Sequence, residues 1–73
     1  MCTFIFCYEN GDQHTFEHIK RVEYVRTNHI TVSEQELLTH SFPTKYDLHL
    51  FADDSNFTVS GSNLTYIKVK LEN

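Results

Sequence analysis

Tyr46-Asp-Leu-His-Leu-Phe51, Ala52-Asp-Asp-Ser-Asn56, Phe57-Thr-Val-Ser60, Gly61-Ser-Asn63 and Leu64-Thr-Tyr-Ile-Lys-Val-Lys-Leu71 follow one another along the chain. Three of these pieces carry large or β-branched apolar residues in runs of strand length. The two between them are turn clusters, where short Asx and Ser side chains hydrogen-bond their own backbone and interrupt a ladder. Gly61 adds a position free to take a positive φ. In the last run Thr65, Ile67, Val69 and Leu71 share one face, and Tyr66, Lys68 and Lys70 the other. That is the period of a strand with one dry and one wet side. The stretch predicts a hairpin, a further strand and a mainly β, antiparallel class.

The preceding residues extend the same pattern. Thr3–Tyr8 is a strongly apolar run, followed by Glu9-Asn10-Gly11-Asp12. Asn-Gly suits a two-residue type I′ turn, because both residues tolerate φ > 0. The chain then returns over Gln13–Glu17. Such a turn sets Glu9 against Asp12, Tyr8 against Gln13, Cys7 against His14, Phe6 against Thr15 and Ile5 against Phe16. Ile19–Arg26 reads as a third strand with Val22 and Tyr24 on one face. Thr27-Asn28 reads as a tight turn and His29–Val32 as a fourth strand. Ser33-Glu-Gln-Glu36 matches a capping box ahead of Leu37-Leu38. Pro43 soon follows and pushes Phe42 out of the helical region, so one or two helical turns are expected between residues 33 and 40. The expected architecture is a small antiparallel meander or SH3-like open barrel of five to seven short strands.

Length and composition narrow the class further. Seventy-three residues make a single domain, residues 1–73, which buries only about 60% of the surface its unfolded form exposes. Ten aromatics, six Phe and four Tyr, are a heavy load for so small a core: either they fill a small barrel, or some lie at a partner surface or between subunits. No run approaches the ~20 apolar residues of a membrane helix. No basic segment precedes Cys2–Cys7, so an export signal is not expected and the cytoplasm is the default location. Cys2 and Cys7 lie on opposite faces of one extended run, about 16 Å apart at ~3.3 Å per residue. They are expected to be buried free thiols. The formal charge of −4 disfavours direct nucleic-acid binding, which draws on Lys and Arg against phosphates, and leaves a basic protein partner open.

The residues offer little chemistry. Five histidines are the compositional oddity, yet none falls in a Cys-x-x-Cys, His-Glu-x-x-His or EF-hand spacing. Cys7 and His14, if cross-strand neighbours, would supply two metal ligands or a thiolate pair. Two ligands are too few for a metal site, and the apolar surroundings favour an inert thiol. Ser60-Gly-Ser62 lacks the strand-to-helix context of a nucleophile elbow, and two glycines in the whole chain leave no phosphate-binding loop. A non-enzyme without cofactor or metal is expected. What remains is recognition. Tyr8, Tyr24, Tyr46 and Tyr66 join a large apolar body to a polar tip, which favours them at interfaces. Glu9, Asp12, Asp47, Asp53 and Asp54 lie near them in sequence and would complement a basic partner. These nine residues form the predicted partner-binding set.

Phe16-x-x-Ile19-x-x-Val22-x-Tyr24, Leu37-Leu-Thr-His-Ser-Phe-Pro43 leading to Asp47-Leu-His-Leu-Phe51, and Asp54-Ser-Asn-Phe-Thr-Val-Ser-Gly-Ser-Asn-Leu64 together resemble short uncharacterised proteins of phages and prophages of low-GC Gram-positive bacteria. The resemblance covers most of the chain but carries no functional residue. It implies a setting in which small acidic proteins inhibit host defences, anti-CRISPR proteins among them. Three functions are therefore weighed. One is an inhibitor that binds a host protein through an acidic, Tyr-bearing face. Another is a homo-oligomer that sequesters a nucleotide-like signal, with aromatics on the base and Lys45, Lys68, Lys70 or Arg26 on phosphates. The third is an accessory of virion assembly.

Overall fold

The computed structural model describes residues 1–72. Seven strands run in the order β1 Cys2–Tyr8, β2 Gln13–Ile19, β3 Arg21–Val25, β4 His29–Val32, β5 Leu48–Phe51, β6 Asn56–Val59 and β7 Leu64–Leu71. A single 3₁₀ turn, Glu34–Glu36, sits between β4 and β5. Two antiparallel sheets result, one ordered β2-β1-β7 and the other β4-β3-β5-β6, and they do not close into a barrel. The mainly β class, the strand number and the one helical turn agree with the sequence pattern. The order departs from a plain meander in two places. β5 pairs with β3, not with its predecessor β4, and β7 returns to the far side of β1.

The core follows from strand alternation. Phe4 and Phe6 of β1, Val22 and Tyr24 of β3, and Leu48 and Leu50 of β5 are each two residues apart and buried. Ile19, Val32, Val59, Leu64 and Cys2 fill the space between the sheets. Burying each large apolar side chain contributes about 1.5–3 kcal/mol. The segment from 37 to 47 crosses this core as a strap. Glu36 reaches back to Ser33, accepting its hydroxyl at 2.8 Å and its backbone N–H at 3.4 Å, which shapes the turn. The turn then drops Leu37 fully into the core and leaves Leu38 half exposed. Phe42 meets Phe4 edge to face at 5.3 Å. The expected thiol state is also found: Cys2 and Cys7 are free and buried.

The first hairpin corrects the expected register. Its loop has three residues, Glu9-Asn10-Gly11, not two. Gly11 donates its N–H to the Tyr8 carbonyl at 2.9 Å, and Tyr8 donates to the Asp12 carbonyl at 2.9 Å. Gly11 sits at φ +91°, so a turn followed by a left-handed residue closes the strands with a bulge. The extra loop residue slides every partner by one: Cys7 faces Gln13, Phe6 faces His14, Ile5 faces Thr15 and Phe4 faces Phe16. A one-residue slide exchanges faces. Cys7 and His14 therefore point to opposite sides of the sheet, and the Cys7–His14 pair does not form.

Two further turns differ from expectation. The β5–β6 loop has four residues, because Phe51 pairs with Asn56 and Ala52 N–H reaches the Ser55 carbonyl at 2.9 Å. In the β6–β7 turn the left-handed residue is Asn63, at φ 61°, and not Gly61. Gly61 serves a different need. It is buried against the strap, and a Cβ there would stand 2.6 Å from the Tyr46 carbonyl oxygen and 2.7 Å from the Tyr46 nitrogen.

Candidate functional site: a groove at the tip of the first hairpin

The hairpin tip and the β6–β7 turn lie side by side because β7 pairs with β1. Tyr8 is opposite Leu64 at the end of that ladder, and Glu9 N–H donates to the Asn63 carbonyl at 2.9 Å. Between the two turns opens a groove of about 730 Å³. Tyr8 and His14 form one wall, their rings edge to face with centroids 5.2 Å apart. Glu9 and Asn10 of the loop and Asp12 just after it line the groove, and Ser62 and Asn63 close the other side. The three-residue loop makes this wall possible. With His14 set opposite Phe6, its ring falls on the same face as that of Tyr8.

The walls are fixed by hydrogen bonds. The Tyr8 hydroxyl donates to the Ser60 carbonyl at 3.4 Å. Partial burial raises the Tyr8 phenol above its ordinary pKa, so it stays a neutral donor. Asn10 bridges the loop: its Oδ1 accepts the Asp12 N–H at 2.9 Å, and its Nδ2 donates to the Asp12 carboxylate at 3.1 Å. Among the described residues Glu9 and Asp12 take part in no ion pair, whereas Asp53, Glu23, Glu34 and Glu72 each do. Among the described residues no Lys or Arg lines the groove. It presents uncompensated negative charge beside an aromatic wall.

The structure brings together three of the nine predicted partner-binding residues, Tyr8, Glu9 and Asp12, and scatters the others. Tyr24 was expected at the surface and is instead 2% exposed, in the core. Its alternation with Val22 put it there, and its hydroxyl is satisfied by His40 Nε2 at 2.7 Å. Tyr46 is exposed with the Arg26 guanidinium 5.5 Å above its ring. Asp47 accepts the Gly61 N–H at 3.1 Å and so holds the strap to the β6–β7 turn. Tyr66 lies on the outer face of β7 across from Cys7, and the neighbouring Cys7 thiol raises its pKa. Asp53 and Asp54 line a second groove of about 560 Å³ with Met1, Glu17, His18 and Phe57, at the opposite end of β1. There Asp53 is neutralised by Lys20 at 2.6 Å.

Sequence reasoning missed His14, Asn10, Ser62 and Asn63 as groove residues. The only signal for Asn10, Ser62 and Asn63 was membership of two turn clusters, His14 lay on the strand just after the first, and nothing local says that turns some fifty residues apart are neighbours. It also missed a clasp at the far end of β1. There Thr3 stands against both Glu17 and His18, where the ladder slips, and His18 takes φ 63°, uncommon for a residue with a Cβ. The Glu72 carboxylate receives the His18 N–H at 2.6 Å, His18 Nδ1 at 2.8 Å and the Thr3 hydroxyl at 2.9 Å. These bonds, the His18 N–H first, hold the Glu72 carboxyl below its ordinary pKa.

Among the described residues no three His, Cys, Asp or Glu side chains are grouped to hold a metal ion, and no helix is long and apolar enough to cross a membrane. No protein-family model, curated protein or solved structure matches this chain.

Proposed function

We propose that this chain is a non-enzymatic interaction module that binds a basic surface of a host protein through the groove at the tip of the first hairpin. One observation carries the reading: among the described residues, two carboxylates without ion-pair partners stand beside a fixed aromatic wall in a groove that no Lys or Arg lines. Tyr at a rigid site supplies contact area at low entropic cost, and surplus charge of one sign speeds encounter with the opposite sign. The resemblance to phage and prophage proteins supports a particular partner class, a defence protein such as a CRISPR-Cas component, which the module would inhibit by occupying a basic surface.

The test is capture of a partner from host lysate by the tagged chain and by the E9Q/D12N variant, followed by association kinetics at rising salt. The reading expects one captured protein, weaker capture by the variant, and association that slows with salt. Capture unaffected by E9Q/D12N would overturn the assignment to this groove. A second reading has its own observation. Tyr66, Lys68 and Lys70 alternate onto the outer face of β7, and neither lysine is in an ion pair among the described residues. That stripe suits a base and its phosphates, as a nucleotide-sequestering oligomer requires. A homo-oligomer on light scattering, with a thermal shift on adding nucleotide, would favour it.

A further inference from the structure

The groove has features that select one kind of basic side chain over another. Its wall is the Tyr8 ring, braced by the edge of His14 at 5.2 Å and by the hydroxyl bond to Ser60. Its rim is a carboxylate pair, Glu9 in the three-residue loop and Asp12 just after it, with Asp12 oriented by Asn10. Gly11 at φ +91° and Asn63 at φ 61° set the two turns that enclose it, and the Glu9–Asn63 backbone bond ties them together. The groove is therefore formed before any ligand arrives. It is also open to water, so an occupant keeps part of its hydration.

We infer that this groove receives an arginine side chain of the partner, its guanidinium stacked on Tyr8 and forked onto the carboxylates of Asp12 and Glu9. The inference rests on the functional reading above and names the chemistry that reading leaves general. A guanidinium is planar, weakly hydrated and carries its donors in a fixed fork, so it stacks on an aromatic face and meets a carboxylate with two parallel bonds at once. An ammonium is a compact, strongly hydrated charge. It gains less from the ring and can satisfy the rim only one bond at a time. Charge complementarity alone would admit lysine equally. The fixed Tyr8 wall beside the oriented Asp12 carboxylate is what separates the two.

The experiment follows the backbone and His14 ring signals by NMR during titration with blocked tripeptides Gly-Arg-Gly, Gly-Lys-Gly and Gly-citrulline-Gly. The Arg peptide should shift Tyr8, Asp12, His14 and Asn63 with saturation in the millimolar range, about 1 mM or weaker for one side chain. The Lys peptide should bind at least about threefold more weakly, and citrulline, which keeps the shape without the charge, should not bind. D12N should weaken the Arg peptide by about tenfold, as expected for loss of a charge-assisted bond. Y8L should erase the preference for Arg over Lys while leaving the chain folded, because it keeps an apolar body at the wall. Equal affinities for Arg and Lys, or no shift with either, overturn the inference. If the peptides fail yet capture of the host partner still depends on Glu9 and Asp12, the interaction module stands and only the arginine assignment falls. If capture is also independent of them, both fall.

Discussion

Replacing Gly61 by alanine should destabilise the fold although it adds a single methyl group at a φ that any residue adopts. The new Cβ would stand 2.6 Å and 2.7 Å from the Tyr46 carbonyl oxygen and nitrogen, and 2.9 Å from the Lys45 carbonyl carbon. All three are backbone atoms, so no side chain can swing aside. Restoring ordinary contact at 3.4 Å requires the strap and the β6–β7 turn to part by about 0.8 Å, the difference between 3.4 Å and 2.6 Å. That movement stretches the Gly61 N–H bond to Asp47, now 3.1 Å, past useful length. Overpacking of this kind costs about 1–3 kcal/mol. A partly buried hydrogen bond to a carboxylate adds about 1.5 kcal/mol, the low end for charged acceptors. Against this, alanine restricts the unfolded chain and returns about 0.4–1 kcal/mol. The balance is a loss of about 1.5–4 kcal/mol, a large part of the roughly 4–11 kcal/mol expected for a chain of this length. Circular dichroism melts should show the midpoint falling by roughly 6–32 °C, at about 4–8 °C per kcal/mol. D47A, which removes the acceptor but not the close approach, should lose clearly less. A G61A midpoint within about 4 °C of the parent, which corresponds to less than about 1 kcal/mol, would refute the close-packing account.

Gly11→Ala tests the bulged loop: holding a Cβ at φ +91° should cost about 1–2 kcal/mol in urea unfolding, and an unchanged midpoint would mean the loop is not left-handed at that residue. Tyr24→Phe should lose about 1 kcal/mol by leaving His40 without its partner, while Tyr24→Ala should lose about 3–5 kcal/mol as a core cavity opens. Equal, small losses from both would return Tyr24 to the surface. The Glu72 clasp predicts a pH dependence. Its folded pKa is depressed, so the unfolded chain binds the proton more readily. The stabilisation is present above the ordinary carboxylate value of about 4.3 and is lost as pH falls from there through the lower folded pKa. The gap in melting temperature between parent and E72Q should therefore narrow on acidification from neutral pH to about pH 3, and a gap that does not change would show that the ionised form is not what the clasp uses.

Where a feature depends on neighbours in sequence, the chain announces it. Leu64–Leu71 alternates cleanly, and the strand has those limits. His29–Val32 and the Ser33–Glu36 box lie where the pattern put them. Val22 and Tyr24 share the predicted face, but which side of that face is dry is decided by the second sheet. The attraction of Tyr for interfaces misplaced Tyr24 for this reason. Asn10-Gly11 supports a two-residue or a three-residue loop equally well, and the choice moves every residue of β1 to a different partner. Only the observed slide sets His14 beside Tyr8 and makes the wall of the groove. The other wall comes from residues 62 and 63, delivered by the pairing of β7 with β1. No local pattern encodes that pairing. The carboxylates were therefore legible as residues and illegible as a site.

The pairing of Tyr8 with Leu64 also bears on synthesis. β1 is the central strand of its sheet, yet one of its two partners leaves the ribosome 56 positions later, which at 5–20 residues per second takes about 3–11 s. During that interval Cys2-Thr-Phe-Ile-Phe-Cys-Tyr8, an uncharged and strongly apolar segment, has only β2 to pair with. Its second edge and its two core phenylalanines wait for the last strand. Segments of this composition with an open edge are prone to pair with other chains. Lys68 and Lys70, in register with Ile5 and Thr3, bring the first positive charge to that edge when β7 docks. High-level expression should thus be limited by the nascent chain more than by the finished fold, and slower elongation should favour aggregates seeded by the first strand.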